Sequence, residues 1–250
     1  MTKKKRQTRG FLVALLVSFD EQAIYLWKIF SHQIREFKHI QLAKKWKYTS
    51  DKEKYHIYED LVNVIRPVIK EGLKSVILAS PPKRDYSSEF LEHVRKHHQW
   101  LIRLRGDNQV SFGQIVGNAY TSEEASILIA EQESVDVIRE TTSGEGNLII
   151  NHLEKYINAN DQNIMVLYGL REIEEYIYKV EKKDKNMADS IDYLILTNNF
   201  LDLHKQKNRI HRLIQIAENK GIITKIISGE SPSGIRINQF GGIICFEKSI

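Results

Sequence analysis

The stretch Ile191-Asp192-Tyr193-Leu194-Ile195-Leu196-Thr197, together with the segments after it, decides the fold. This apolar run leads into a helix-patterned segment from about Asn208 to Lys220, then Ile222-Ile223-Thr224-Lys225-Ile226-Ile227, the loop-like Ser231-Pro232-Ser233-Gly234, and Gly241-Gly242-Ile243-Ile244-Cys245-Phe246. Buried parallel strands appear as continuous apolar runs between helices. The last third is therefore read as a compact α/β unit of strand, helix, strand, small-residue loop and closing strand.

Working outward, 250 residues lie at the upper end of what one core usually serves, so two domains of about 120 residues each are expected. The single cysteine, Cys245, lies inside an apolar run, which excludes a disulfide framework and a thiolate-rich metal site and predicts a buried structural thiol. Four prolines and no low-complexity tract point to an ordinary intracellular, cytoplasmic globular protein. The formal charge of +5 suggests a polyanionic partner. Most of the excess lies in the first fifth, where Lys3, Lys4, Lys5, Arg6, Arg9, Lys28, Arg35, Lys38, Lys44, Lys45 and Lys47 face only Asp20, Glu21 and Glu36.

Phe11 to Phe19 follows the basic start as a signal peptide's apolar core would. It is too short to cross a bilayer, it runs straight into Asp20-Glu21, and no small-x-small cleavage site appears. A strand is expected, turning at Asp20-Glu21-Gln22 into a second strand over Ala23 to Ile29. Ser31 to Leu42 alternates well enough for a third strand, with a short helix as the alternative. Lys44 to Asp51 reads as a polar basic loop. Lys52 to Gly72 has helical spacing, with a kink at Pro67 possible in principle. Val76 to Ala79 is a buried strand stopping at Ser80-Pro81-Pro82, Ser87 to His98 a helix, and Leu101–Leu104 and Val110–Val116 are strands. A helix start at Thr121-Ser122-Glu123-Glu124 predicts a connecting helix past Glu140, with Thr141 to Gly146 as its break.

This order resembles the archaeal and eukaryotic peptide-chain release factor and Pelota family. The residues that carry the resemblance are Ser80-Pro81 ending a strand, Tyr168-Gly169 before a helix, the Ile191–Thr197 strand, Pro232-Ser233-Gly234, and Gly241-Gly242-Ile243 before the last strand. The resemblance covers Gly10 to Phe246. It implies an α/β protein in which a basic tail (1–9) precedes an RNase H-like domain (10–131, like the family's second domain). An α/β/α sandwich domain resembling kink-turn-binding ribosomal proteins (132–250, like the third) would follow. It further implies partners: the ribosome and its rRNA, and an elongation-factor-type translational GTPase, with no membrane and no DNA. The expected role is translation-linked, in ribosome rescue or quality control. Two departures are expected: the family's N-terminal decoding domain is not seen, and the Gly-Gly-Gln tripeptide that hydrolyses peptidyl-tRNA is absent.

A release loop needs paired glycines to enter a narrow site and a glutamine to orient water. The matching position holds Lys44-Lys45-Trp46-Lys47-Tyr48, the only Gly-Gly is Gly241-Gly242, and Gly113-Gln114 follows Phe112 in a different region. No enzymatic activity and no cofactor are therefore expected. The alternatives are an RNA-cleaving or peptidyl-tRNA-hydrolysing enzyme, or a freestanding RNA-binding module. A two-metal nuclease of RNase H type needs a carboxylate within the first strand, and Phe11–Phe19 has none.

For RNA contact the candidates are Lys44, Lys45, Trp46, Lys47 and Tyr48, whose lysines would neutralise phosphates while the aromatics stack on a base. Against this stands a solvated loop whose aromatics fold back onto the core. Lys3, Lys4, Lys5, Arg6 and Arg9 read as a basic arm on rRNA or as an inert tail. His93, His97 and His98 include an i, i+4 pair, but without a His-Glu-x-x-His arrangement or a nearby cysteine they are expected at the surface, with no metal. Ser80 has no relay and is read as a strand end. Glu172, Glu174, Glu175 and Glu181 among Lys179, Lys182 and Lys183 read as a solvated face. Ser231 to Ile235 either approaches a partner or sets a turn.

Overall fold

The computed structural model describes residues 12–31, 33–70, 72–102, 109–158, 165–179 and 191–247. The chain divides into two units, Met1–Thr142 and Ser143–Ile250, so the division falls after Thr142 rather than after residue 131.

In the first unit, β1 (Leu12–Phe19), β2 (Ala23–Phe30) and β3 (Gln33–Gln41) form an antiparallel meander. Two parallel strands, β4 (Ser75–Ser80) and β5 (Ser111–Val116), extend it on the other side, giving the order β3-β2-β1-β4-β5. The unbroken apolar run of β1 follows from burial on both faces of the sheet. Leu15, Val17 and Phe19 pack on one face against α1 (Asp51–Lys70) and α2 (Tyr86–His97), through Tyr58, Leu61, Ile65 and Phe90. Ala14 and Leu16 pack on the other against α3 (Ser122–Ala130) and the start of α4 (Gln132–Asn158), through Ala125, Leu128 and Val137. Period-2 alternation sends neighbouring side chains to opposite faces, and here both faces are dry. β3, at the edge, exposes Arg35, Glu36, Lys38 and His39, charges that discourage another strand from adding there.

α1 begins with a reciprocal cap. The Ser50 backbone N–H donates to Glu53 Oε2 at 2.8 Å, and the Glu53 N–H donates to Ser50 Oγ at 3.4 Å. α3 starts on a capping box of Thr121 and Glu124. The expected strand at Leu101–Leu104 is not formed in its described part: Gln99–Leu101 is a single 3-10 turn, and residues 103 and 104 lie outside the described residues.

In the second unit, β6 (Val166–Leu167), β7 (Ile191–Thr197), β8 (Ile223–Ile227) and β9 (Ile243–Glu247) take the order β6-β9-β7-β8. β7 and β8 are parallel, but β9 runs antiparallel to both β6 and β7, so the sheet is mixed rather than wholly parallel. Leu194, Leu196 and Cys245 face α5 (Leu170–Lys179) and α7 (Lys207–Asn219) through Ile173, Ile177, Ile210 and Leu213. On the other face, Ile195, Ile244 and Phe246 meet Ile150 and Leu153 of α4 and Ile237 of α8 (Pro232–Gln239). The short α6 (Asn198–Leu203) follows β7 directly, with Thr197 as its cap.

Two expectations give way here. Thr141 to Gly146 does not break the connecting helix; α4 runs through it. Interior glycines cost about 1 kcal/mol each, yet Gly146 is needed, because a Cβ there would lie 2.6 Å from Ser233 Oγ of α8. The interruption falls instead at Glu131, whose extended backbone (φ −63°, ψ 142°) separates α3 from α4. Ser231 to Gly234 is likewise the start of a helix and not a loop: Ser231 caps α8, with Pro232 in its first turn.

Candidate nucleic-acid interface

The basic loop is held rather than free. The Leu42 N–H donates to the Gln22 carbonyl at 2.8 Å and the Trp46 N–H to the Glu21 carbonyl at 2.8 Å, which folds residues 42–46 onto the β1–β2 turn. Trp46 to Tyr48 then forms one 3-10 turn. This geometry separates the two aromatics. Trp46 is 3% exposed, with its ring among those of Phe19, Tyr58 and Tyr86 at centroid distances of 6.4, 5.7 and 5.0 Å. Its assignment as a base-stacking residue is therefore corrected: the indole is part of the core and has no open face. Tyr48, at 65% exposure, stands outside with the Lys47 ammonium 4.7 Å from its ring centre.

The other lysines are exposed and lightly engaged. Lys44 Nζ donates to Glu53 Oε1 at 3.1 Å and Lys45 Nζ to Glu21 Oε2 at 3.4 Å. Exposed pairs of this kind have a net worth of about 0 to 1 kcal/mol, so a phosphate replaces the carboxylate at little cost. Lys3, Lys4, Lys5, Arg6 and Arg9 lie outside the described residues. On the meander the fold adds residues that the charge count did not place on a face. Arg35 and Lys38 are exposed on β3, with Phe37 displaced by a bulge and the Lys28 ammonium 4.5 Å from its ring centre. The alternation of β3 was the available signal, but only the bulge shows how the aromatic is offered.

Several polar residues prove to be internal. Ser80 Oγ lies 2.6 Å from Ser87 Oγ and accepts the Ser87 N–H at 2.8 Å, so the hydroxyl closes the start of α2. Gln114 of β5, by contrast, is exposed and donates to Ser88 Oγ at 3.1 Å on the surface. Glu174 is not on a solvated face; it is 6% exposed and forms a bidentate pair with Arg209 of α7. A Cβ at Gly234 would lie 1.8 Å from the Ser228 carbonyl oxygen, so the close backbone approach that this small residue permits is made within the unit. β1 carries no carboxylate, and Asp20 and Glu21 sit beyond its end.

The histidines are the largest departure. His97 is exposed, but His93 and His98 are each 7% exposed, so the expectation of surface histidines fails for two of the three. His93 Nε2 lies 3.1 Å and His98 Nε2 2.7 Å from the same oxygen, Glu59 Oε1 of α1. Tyr55 lies edge-on to His93 at 5.1 Å and Tyr58 tilted against it at 5.2 Å, and Trp100 sits edge-on to His98 at 6.4 Å. Burial lowers the pKa of His93 more than the carboxylate raises it, so this imidazole stays neutral at neutral pH. Burial opposes ionisation of Glu59, but the hydrogen bonds and charge of His98 and then His93 outweigh it, and its pKa lies below the ordinary carboxylate value. Glu59 is 34 residues from His93 in sequence, so no spacing rule could have paired them.

Residues 144–248 match the family model described as eRF1 domain 3, a segment that is nearly the whole of the second unit. The chain is similar to proteins of the Pelota and release-factor family. It is 22% identical over 202 residues to the protein pelota homolog of Pyrococcus furiosus, covering 80% of this chain and 51% of that protein. A 98-residue stretch is 26% identical to a putative histone-lysine N-methyltransferase 1 of Plasmodium falciparum, but spans 1% of that protein and says nothing of function. Among solved structures, ribosome-bound archaeal Pelota, in a complex that includes ABCE1, superimposes with a TM-score of 0.52 at 15% identity, covering 92% of this chain and 60% of that one. Dom34 of S. cerevisiae, a translation termination-like factor in RNA quality control that interacts with Hbs1, gives 0.46 at 16% identity, covering 95% and 63%. The chain thus spans about half the length of the curated Pelota relative. The likeness to ribosome-bound archaeal Pelota supports a shared mixed α/β fold. Among the described residues, no helix is long and apolar enough to cross a membrane.

Proposed function

We propose that this protein is a ribosome-binding, Pelota-like translation factor that works in ribosome rescue or related quality control and performs no hydrolysis of its own. On this reading the first unit is an RNase H-like domain and the second resembles the kink-turn-binding ribosomal proteins. The observation that carries it is the match of residues 144–248 to eRF1 domain 3, behind a first unit whose exposed loop presents Lys44, Lys45, Lys47 and Tyr48 where a release factor carries Gly-Gly-Gln. Three cations beside one exposed aromatic suit a phosphate backbone with an unpaired base. The basic segment Lys3 to Arg9 adds an electrostatic arm to the same rRNA. By analogy with Dom34 and archaeal Pelota, the proposal includes a translational GTPase resembling Hbs1 and a protein resembling ABCE1 as further partners. The site of action is the cytoplasm, where ribosomes stall.

Sedimentation through sucrose gradients tests the reading. The protein is expected with ribosomes at about 50 mM salt and near the top of the gradient above about 200 mM, as counterion release requires. Protein that stays at the top at low salt, or that releases the peptide from charged peptidyl-tRNA on a ribosome, overturns it.

A further inference from the structure

The cluster of Glu59, His93 and His98 lies outside the loop proposed for RNA contact, and its arrangement is chemically pointed. We infer that these three side chains form a binding site for a divalent transition-metal ion, Zn²⁺ foremost, which ties α1 to the C-terminal end of α2. The donor atoms of the three all lie within 4.8 Å of one another. A zinc ion about 2.0 to 2.1 Å from each donor holds its ligands some 3 to 4 Å apart, so side-chain rotations that bring the widest-spaced donors closer by about 1 Å complete the site. Two imidazoles and one carboxylate form a donor set that first-row divalent metals accept, with the remaining position open to water.

Charge balance supplies a second argument. The Glu59 carboxylate, with its side chain 28% exposed, faces two imidazoles that are 6% and 9% exposed. The nearby cation Lys54 is committed to Glu89 at 2.8 Å, and the Arg66 guanidinium lies over the Trp100 ring at 5.2 Å. Among the described residues, no lysine or arginine is paired with Glu59. A part-buried anion gains from a cation brought to the point where both Nε2 atoms converge. Ligation keeps the proton count of a neutral imidazole: the proton moves to Nδ1 and the Nε2 lone pair turns to the metal. Tyr55 and Tyr58 flank the His93 ring and Trp100 sits edge-on to His98, contacts that hold both imidazoles in place.

The test uses the full chain, stripped with EDTA and titrated with zinc chloride alone, and does not depend on ribosome binding. One zinc per chain is expected, with the melting temperature raised by about 5 °C at a hundredfold excess of free zinc over the dissociation constant. Glu59→Gln and His98→Gln each keep a hydrogen-bonding side chain, and each should weaken zinc by roughly 100-fold and abolish the thermal shift. Should a variant fail to fold, long-range ¹H–¹⁵N spectra of the wild-type imidazoles decide: zinc must move the Nε2 signals of His93 and His98 and leave the other histidines in place. Failure of the wild type to take up one equivalent, undiminished uptake in a folded variant, or movement of other imidazole signals instead, overturns the assignment.

Discussion

Trp46 and Tyr48 sit two residues apart on one 3-10 turn, and their fates are opposite. The indole fills the space between β1, α1 and α2, so Trp46→Ala should cost about 3 to 5 kcal/mol, visible as a lowered melting temperature. Tyr48→Ala removes an exposed ring. Its stability should change by no more than about 0.5 kcal/mol, while RNA affinity falls by about 1 to 3 kcal/mol, read by filter binding with an rRNA fragment. In sequence the two are indistinguishable: both are aromatics among lysines, and a single turn has no period to show which face is inward. The same reasoning applies to charge. The Glu53 carboxyl, held by the Ser50 backbone N–H, then the Ser50 hydroxyl and Lys44, titrates at about 2 instead of the ordinary 4.5. Because the folded value lies below the unfolded one, this contact stabilises α1 above pH 4.5 and is lost as pH falls through about 2. Carboxyl ¹³C shifts should show the Glu53 midpoint below every unperturbed glutamate.

At the scale of elements, the long apolar strands were legible because β1, β4 and Leu194–Thr197 of β7 are buried on both faces and their mainly apolar sequences say so. The helices α1, α2 and α7 were legible from spacing. What escaped depended on neighbours. Ser231 to Gly234 looks like a turn in isolation and becomes a helix because α8 lays Ile237 on the sheet beside Ile195 and Ile244. Gly234→Ala should therefore destabilise the second unit by at least about 1 to 3 kcal/mol, since its new methyl would run into the fixed backbone of residue 228. Denaturant unfolding followed by far-UV circular dichroism measures the loss. The antiparallel direction of β9 escaped for a similar reason: an apolar run declares burial and not direction. The Glu59 and histidine cluster escaped because it joins two helices far apart in the chain.

For the molecule as a whole, each unit has a core of its own, made of residues on its own side of the division. Residues 143–250 expressed alone are expected to unfold in a single cooperative step, and a non-cooperative melt would show that they lean on the first unit. Phosphate contact by Lys44, Lys45 and Lys47 adds a second expectation: replacing all three by glutamine lowers the slope of log affinity against log salt by about 2 to 3, at any RNA sequence. Buried Cys245 reports on the same integrity. Burial pushes its thiol well above the ordinary value, so a maleimide should label it only after unfolding.

The insertion of β9 between β6 and β7 places the chain's late residues in the middle of the sheet. During synthesis, β6 emerges with no partner strand and waits until residues 243–247 arrive. A translation product that stops short of them would present an open slot flanked by bare strand edges, a ready mark for chaperones or proteases, while the first unit is already complete.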